Sequence, residues 1–172
     1  MIPKTNVVSA MLILGLSASM SVAGNPSGLT RQDCRQIFPG TNSSEAVRTL
    51  GSGVQWTEAW EQGSWGPAEE FRGYIFFKSQ QHEGKTISVL VGVTNTGTIA
   101  SVKVKGLAGV DEEFLAQFCG KSVQQNFALA RTPEDLLSVP EKIRMMQGNL
   151  VLSESIVLAV NDIAPAANQV LN

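Results

Sequence analysis

Few residues in this chain have the type and spacing to do chemistry, and the densest group lies near its end. Gly148 and Asn149 open a turn, and Ser153 stands ahead of an apolar run in which Ile156, Val157, Val160 and Ile163 recur at helical spacing. Ser153 carries the side chain of a helix N-cap, whose hydroxyl accepts from an N–H of the first turn. Such a start is either a capped core helix and nothing more, or a seat for a phosphate, which the free N–H groups and the positive dipole end favour. Elsewhere the inventory is thin. The single histidine, His82, sits among Gln80, Gln81, Glu83 and Gly84, the surroundings of a solvated loop. The only cysteines are Cys34 and Cys119, with no Cys-x-x-Cys and no cluster that would ligate zinc or haem. No GxSxG, no HExxH and no Cys–His pair at a recognisable spacing is present, so no hydrolase or transferase site is visible.

The composition sets the class. Of the 172 residues, 43% are hydrophobic and 16% charged, the balance of a globular domain long enough to bury a core. A formal charge of −2 without a basic stripe gives no reason to expect nucleic acid. The N-terminus has the parts of a secretory signal over residues 1–23: Lys4, the apolar Val7 to Leu16, and Ser21-Val22-Ala23 as a small-x-small cleavage site. The expected mature chain starts at Gly24 and is exported, to a periplasm or beyond. The competing reading is an uncleaved anchor, for which this serine-containing segment is shorter than the roughly 20 apolar residues a span requires. Export favours oxidation, so Cys34 and Cys119 are expected to form a disulfide, which closes a long loop and contributes ~4 kcal/mol by chain entropy. Two unlinked thiols, one of them buried, are the alternative. Asn42-Ser43-Ser44 matches a glycosylation sequon, a pattern too short to carry an assignment.

The elements that would position these residues follow in order. Residues 24–70 form a helical and Trp-rich segment. Thr30 to Phe38 is a short helix stopped by Pro39-Gly40, and Glu45 to Leu50 a second one ending at Gly51. Trp56, Trp60 and Trp65 cluster; Trp56 and Trp60 are i, i+4 neighbours if the segment is helical. Residues 71–172 form the main domain. Phe71 to Phe77, Thr86 to Val93 and Ile99 to Lys105 are strands, the last two with clean period-two alternation, joined by a loop over Ser79 to Lys85 and a turn at Asn95-Thr96-Gly97. Three such strands make an antiparallel meander. Asp111 caps a helix through Phe118, with Glu112 and Glu113 in its first turn. Pro133 to Leu137 is one helical turn, Met145 and Met146 are core filler, and Pro165 limits the straight run of the last helix. The fold class expected is α+β, an antiparallel meander sheet packed by helices.

Several of these phrases together resemble the FMN-binding domain family, which includes the flavin-carrying subunits of Na+-pumping NADH:quinone reductases and Rnf complexes and the periplasmic domains of NosR-like regulators. Arg72-Gly73-Tyr74-Ile75, Val89 to Val93 with the Gly97 turn, and Val102-Lys103-Val104 are similar to its meander; Phe114-Leu115-Ala116-Gln117-Phe118-Cys119-Gly120-Lys121-Ser122 resembles its Phe-Leu-x-Gln-Phe-x-Gly-Lys-Ser phrase. Gly148, Ser153 and Ala159-Val160-Asn161 resemble its C-terminal signature, in the same order, and Ile37-Phe38-Pro39-Gly40 its opening. Three departures accompany the likeness. Leu150 stands where the family esterifies a threonine to FMN, so covalent flavin is not expected; Arg144 stands where the family has an Asp; and Gly106 to Val110 replaces a polar loop.

The resemblance implies two functions of different class. In one, the chain is an exported electron-transfer module that holds FMN non-covalently, with Gly148, Asn149 and Ser153 at the helix start, Lys103, Lys105 or Arg144 on the phosphate, and a tryptophan against the ring. Its partner would be a redox or membrane-complex protein, and the chemistry would belong to the flavin. In the other, the chain is a non-catalytic descendant of that fold that binds a partner or ligand without flavin.

Overall fold

The computed structural model describes residues 29–44, 46–63, 69–132, 134–135 and 141–172. The signal segment and Trp65 lie outside these, as does most of the turn expected at Pro133 to Leu137. The meander is present and larger than its three expected strands. β3 (Gln55–Gln62), β4 (Glu69–His82), β5 (Lys85–Val93) and β6 (Ile99–Lys105) pair antiparallel in sequence order. Two short strands, β1 (Ser43–Ser44) and β2 (Arg48–Thr49), lie end to end along the outer edge of β3, opposite Trp60 and Trp56 respectively. The architecture is α+β, as the alternation in β5 and β6 requires.

Each face of the sheet is covered differently. Alternation along β4 sends Phe76 to one side and Ile75 and Phe77 to the other. The first side holds the main core: Phe76 from β4, Val89 and Val91 from β5, and Val102 from β6 receive Ile156, Val160 and Ile163 of the long C-terminal helix α3 (Leu150–Leu171). Fully burying each such side chain contributes about 1.5–3 kcal/mol. α2 (Glu112–Ala116) adds Phe114 and Leu115 to the same core and is capped, as expected, by Asp111. The second side is smaller. There α1 (Arg31–Ile37) lays Cys34 and Ile37 against Ile75, Phe77 and Leu90. α1 can lie this close because Gly73 has no side chain: a Cβ there would meet Val93 O at 2.5 Å and Phe38 Cζ at 2.6 Å. The last elements, β7 (Ala128–Ala130) and β8 (Lys142–Arg144), form a separate parallel pair beside α3.

Several expectations are corrected here. The helix expected over Glu45 to Leu50 is not formed: Arg48–Thr49 pair with β3, whose edge offers backbone partners that a six-residue helix would have to supply internally, and Glu45 lies outside the described residues. Trp56 and Trp60 are on β3 and share a face by the strand period. Trp56 stacks on Phe76 at 6.4 Å and Trp60 meets Phe71 at 5.0 Å, edge-on. Their rings are spent on packing against the sheet's own aromatics. The 79–85 loop is a tight hairpin: β4 runs to His82, and Glu83 (φ 48°) and Gly84 (φ 75°) make a two-residue turn of the primed type. His82 is therefore buried at 5% exposure, on the α3-facing side of β4 with Lys78 and Gln80. α3 runs on through Pro165, which lies on its exposed side. The segment before residue 71 contributes β1 to β3, so it belongs to the same sheet as the strands after it.

The expected Cys34–Cys119 disulfide does not form; both residues are thiols. Cys34 is buried under α1 on one side of the sheet, whereas Cys119 follows Phe118, which belongs to the core on the other side. A bridge needs Cα atoms within about 7 Å and cannot reach around a sheet. In the native protein a thiol reagent should modify Cys119 readily and Cys34 only on unfolding, and the unreduced mass should show both hydrogens retained. A mature chain that shows no titratable thiol in denaturant would overturn this.

Candidate functional site

The turn into α3 is built by Asn149 and Ser153. Asn149, not Ser153, is the N-cap: its Oδ1 accepts from Leu152 N–H at 3.1 Å. The helix therefore starts at Leu150, one turn earlier than the apolar stripe suggests. Ser153 lies inside that first turn, fully buried. Its hydroxyl donates to Asn149 O at 2.7 Å and accepts from Met146 N–H at 3.0 Å. Gly148, at φ +74°, supplies the left-handed residue the turn requires and is exposed. The free donors left at this end are those of Leu150 and Val151, whose side chains are 44% and 60% exposed and apolar.

The cations expected there are elsewhere. Val102 and Val104 pack toward the main core, so Lys103 and Lys105 point to the α1 side of β6. Lys103 pairs with Glu112 at 2.6 Å and lines a cavity of ≈ 320 Å³ against Leu107 and Val110. Lys105 pairs with Asp33 of α1 at 2.8 Å. Burial works against the Asp33 charge, but hydrogen bonds from Lys105 and from the Thr30 N–H and hydroxyl outweigh it, and its pKa falls below the ordinary 3.8. Arg144 remains near the turn, exposed on β8, beside a hollow of ≈ 160 Å³ that it shares with Asp111 and Glu113. Of the six candidates the structure thus groups Gly148, Asn149 and Ser153, keeps Arg144 nearby among carboxylates, and holds Lys103 and Lys105 in ion pairs with Glu112 and Asp33. These residues do not fit an FMN phosphate: the serine hydroxyl is consumed by backbone, two cations are paired away from the turn, and Leu150 offers no oxygen.

The residues that carry the sequence resemblance have a common occupation. Gln117 accepts from Arg144 N–H at 2.8 Å and donates to its carbonyl at 3.0 Å. Asn161 does the same to Phe127, at 2.9 and 2.8 Å. A third amide, Asn42, grips Gln62 in the same way, at 2.7 and 3.2 Å. Each clamp satisfies one backbone donor and one acceptor that no neighbouring strand reaches.

A different surface stands out among the described residues. The exposed large apolar side chains are Met145, Leu150, Val151 and Leu158, all within or just before the first half of α3; of the two methionines expected as core filler, Met146 is buried and Met145 is not. Beside them, between β7–β8 and α3, is a groove of ≈ 400 Å³ walled by Phe127, Leu129, Val157 and Leu158 and edged by Arg131, Lys142 and Glu154. The sequence signal for it was an apolar residue off the buried stripe: Leu158 stands between Val157 and Ala159, which are buried, and is itself 61% exposed. No family model matches the chain, and no curated protein matches it.

Two outcomes follow from this geometry. Ser153→Ala strands the Met146 N–H in the core and should cost about 1–3 kcal/mol in urea unfolding; an unchanged midpoint would mean the turn does not depend on the hydroxyl. The Asp33 carboxylate, with its folded pKa depressed, stabilises fully above its unfolded value and loses that contribution as pH falls through the folded one. Wild type should therefore lose more stability than Asp33→Asn as the pH is lowered below about 4. Parallel pH profiles would show that the Thr30–Asp33–Lys105 contacts contribute nothing.

Proposed function

We propose that this chain is an exported, non-catalytic binding protein that keeps an FMN-binding-domain-like framework and docks a partner on the exposed face of α3 and the adjoining groove. The observation that carries the reading is the occupation of Ser153, Gln117 and Asn161. These three residues of the resemblance are bonded to the chain's own backbone; Ser153 is fully buried, and Gln117 and Asn161 border the hollow beside Arg144 and the groove beside α3 with their amides already engaged. Export is supported by Lys4, the apolar Val7 to Leu16 and the Ser21-Val22-Ala23 cleavage site. Docking is supported by the gathering of exposed apolar side chains at Met145, Leu150, Val151 and Leu158.

Titration with FMN tests it. Flavin fluorescence should stay unquenched into the high micromolar range, the purified exported protein should lack a visible flavin band, and co-expression with a flavin transferase should leave its mass unchanged. Saturable FMN binding that a Gly148→Val substitution weakens would place flavin at the α3 turn and overturn the reading.

A further inference from the structure

We draw no further inference here: the strongest candidate, the cavity of ≈ 320 Å³ walled by α1, β6 and α2, carries none, because the two charged side chains that line it, Lys103 and Glu112, are paired with each other, and none of the buried side-chain polar atoms without a partner among the described residues belongs to its walls.

Discussion

The burial of one face of α3 against β4 and β5 is the contact on which the rest of this molecule depends. A meander with one open face is not stable by itself, since Phe76, Val89, Val91 and Val102 would stand in water. α3 covers them with Ile156, Val160 and Ile163, and polar contacts fix its direction across the strands: Lys78 pairs with Asp162, and Gln80 donates to Ser155 O at 2.9 Å. With the helix so placed, its N-terminal turn, the β7–β8 pair and the groove between them are placed too. Its outward face is then whatever the buried stripe leaves over: apolar at Leu150, Val151 and Leu158, and polar at Glu154, Asp162 and Gln169.

The sheet and its main helices were legible in the sequence because they obey simple periods. In β5, Ile87, Val89, Val91 and Val93 recur at every second residue, as do Val102 and Val104 in β6, and the stripe from Ile156 to Ile163 repeats at helical spacing. What was not legible is where local preference is overruled by a partner distant in sequence. Glu45 to Leu50 reads as a helix locally, and yet Arg48–Thr49 become β2 because the edge of β3 accepts them. Trp56 and Trp60 satisfy both a helical and a strand spacing, four being a multiple of two, so their spacing alone decides nothing. His82 looked like a loop residue because its neighbours are polar. The two-residue turn at Glu83-Gly84 carries β4 one step further and tucks the imidazole under the sheet edge.

The candidate site was legible in part, and for the same reason. Glycine, asparagine and serine before a helix do mark a turn, and the turn is there. Sequence assigned the cap to Ser153 because the apolar stripe starts after it, whereas Leu150 and Val151, exposed and apolar, hide the helix's first turn from any pattern of burial. The lysines were misplaced by one consequence of the strand period. Val102 and Val104 face the main core, and the lysines between and after them are engaged elsewhere, Lys105 with Asp33 of α1 and Lys103 with Glu112 of α2.

The three amide clamps and the buried serine show a second constraint on this chain, the supply of partners to its irregular backbone. Between β6 and α3 the chain is largely irregular, so many of its backbone groups have no ladder to join. Gln117 and Asn161 supply the missing partners for Arg144 and Phe127, and Ser153 does so for Met146. Removing Ser153 or Asn161 would leave a buried or half-buried N–H unsatisfied at a cost of about 1–3 kcal/mol, a large share of the stability of a domain this size, whereas the Arg144 N–H is exposed and water can replace Gln117 there. Leu150, one residue after the cap of the same turn, is exposed and makes no such bond through its side chain. Physical constraint therefore separates the two kinds of residue at this turn: Ser153 is held by the backbone groups it satisfies, whereas Leu150 is part of an exposed apolar surface.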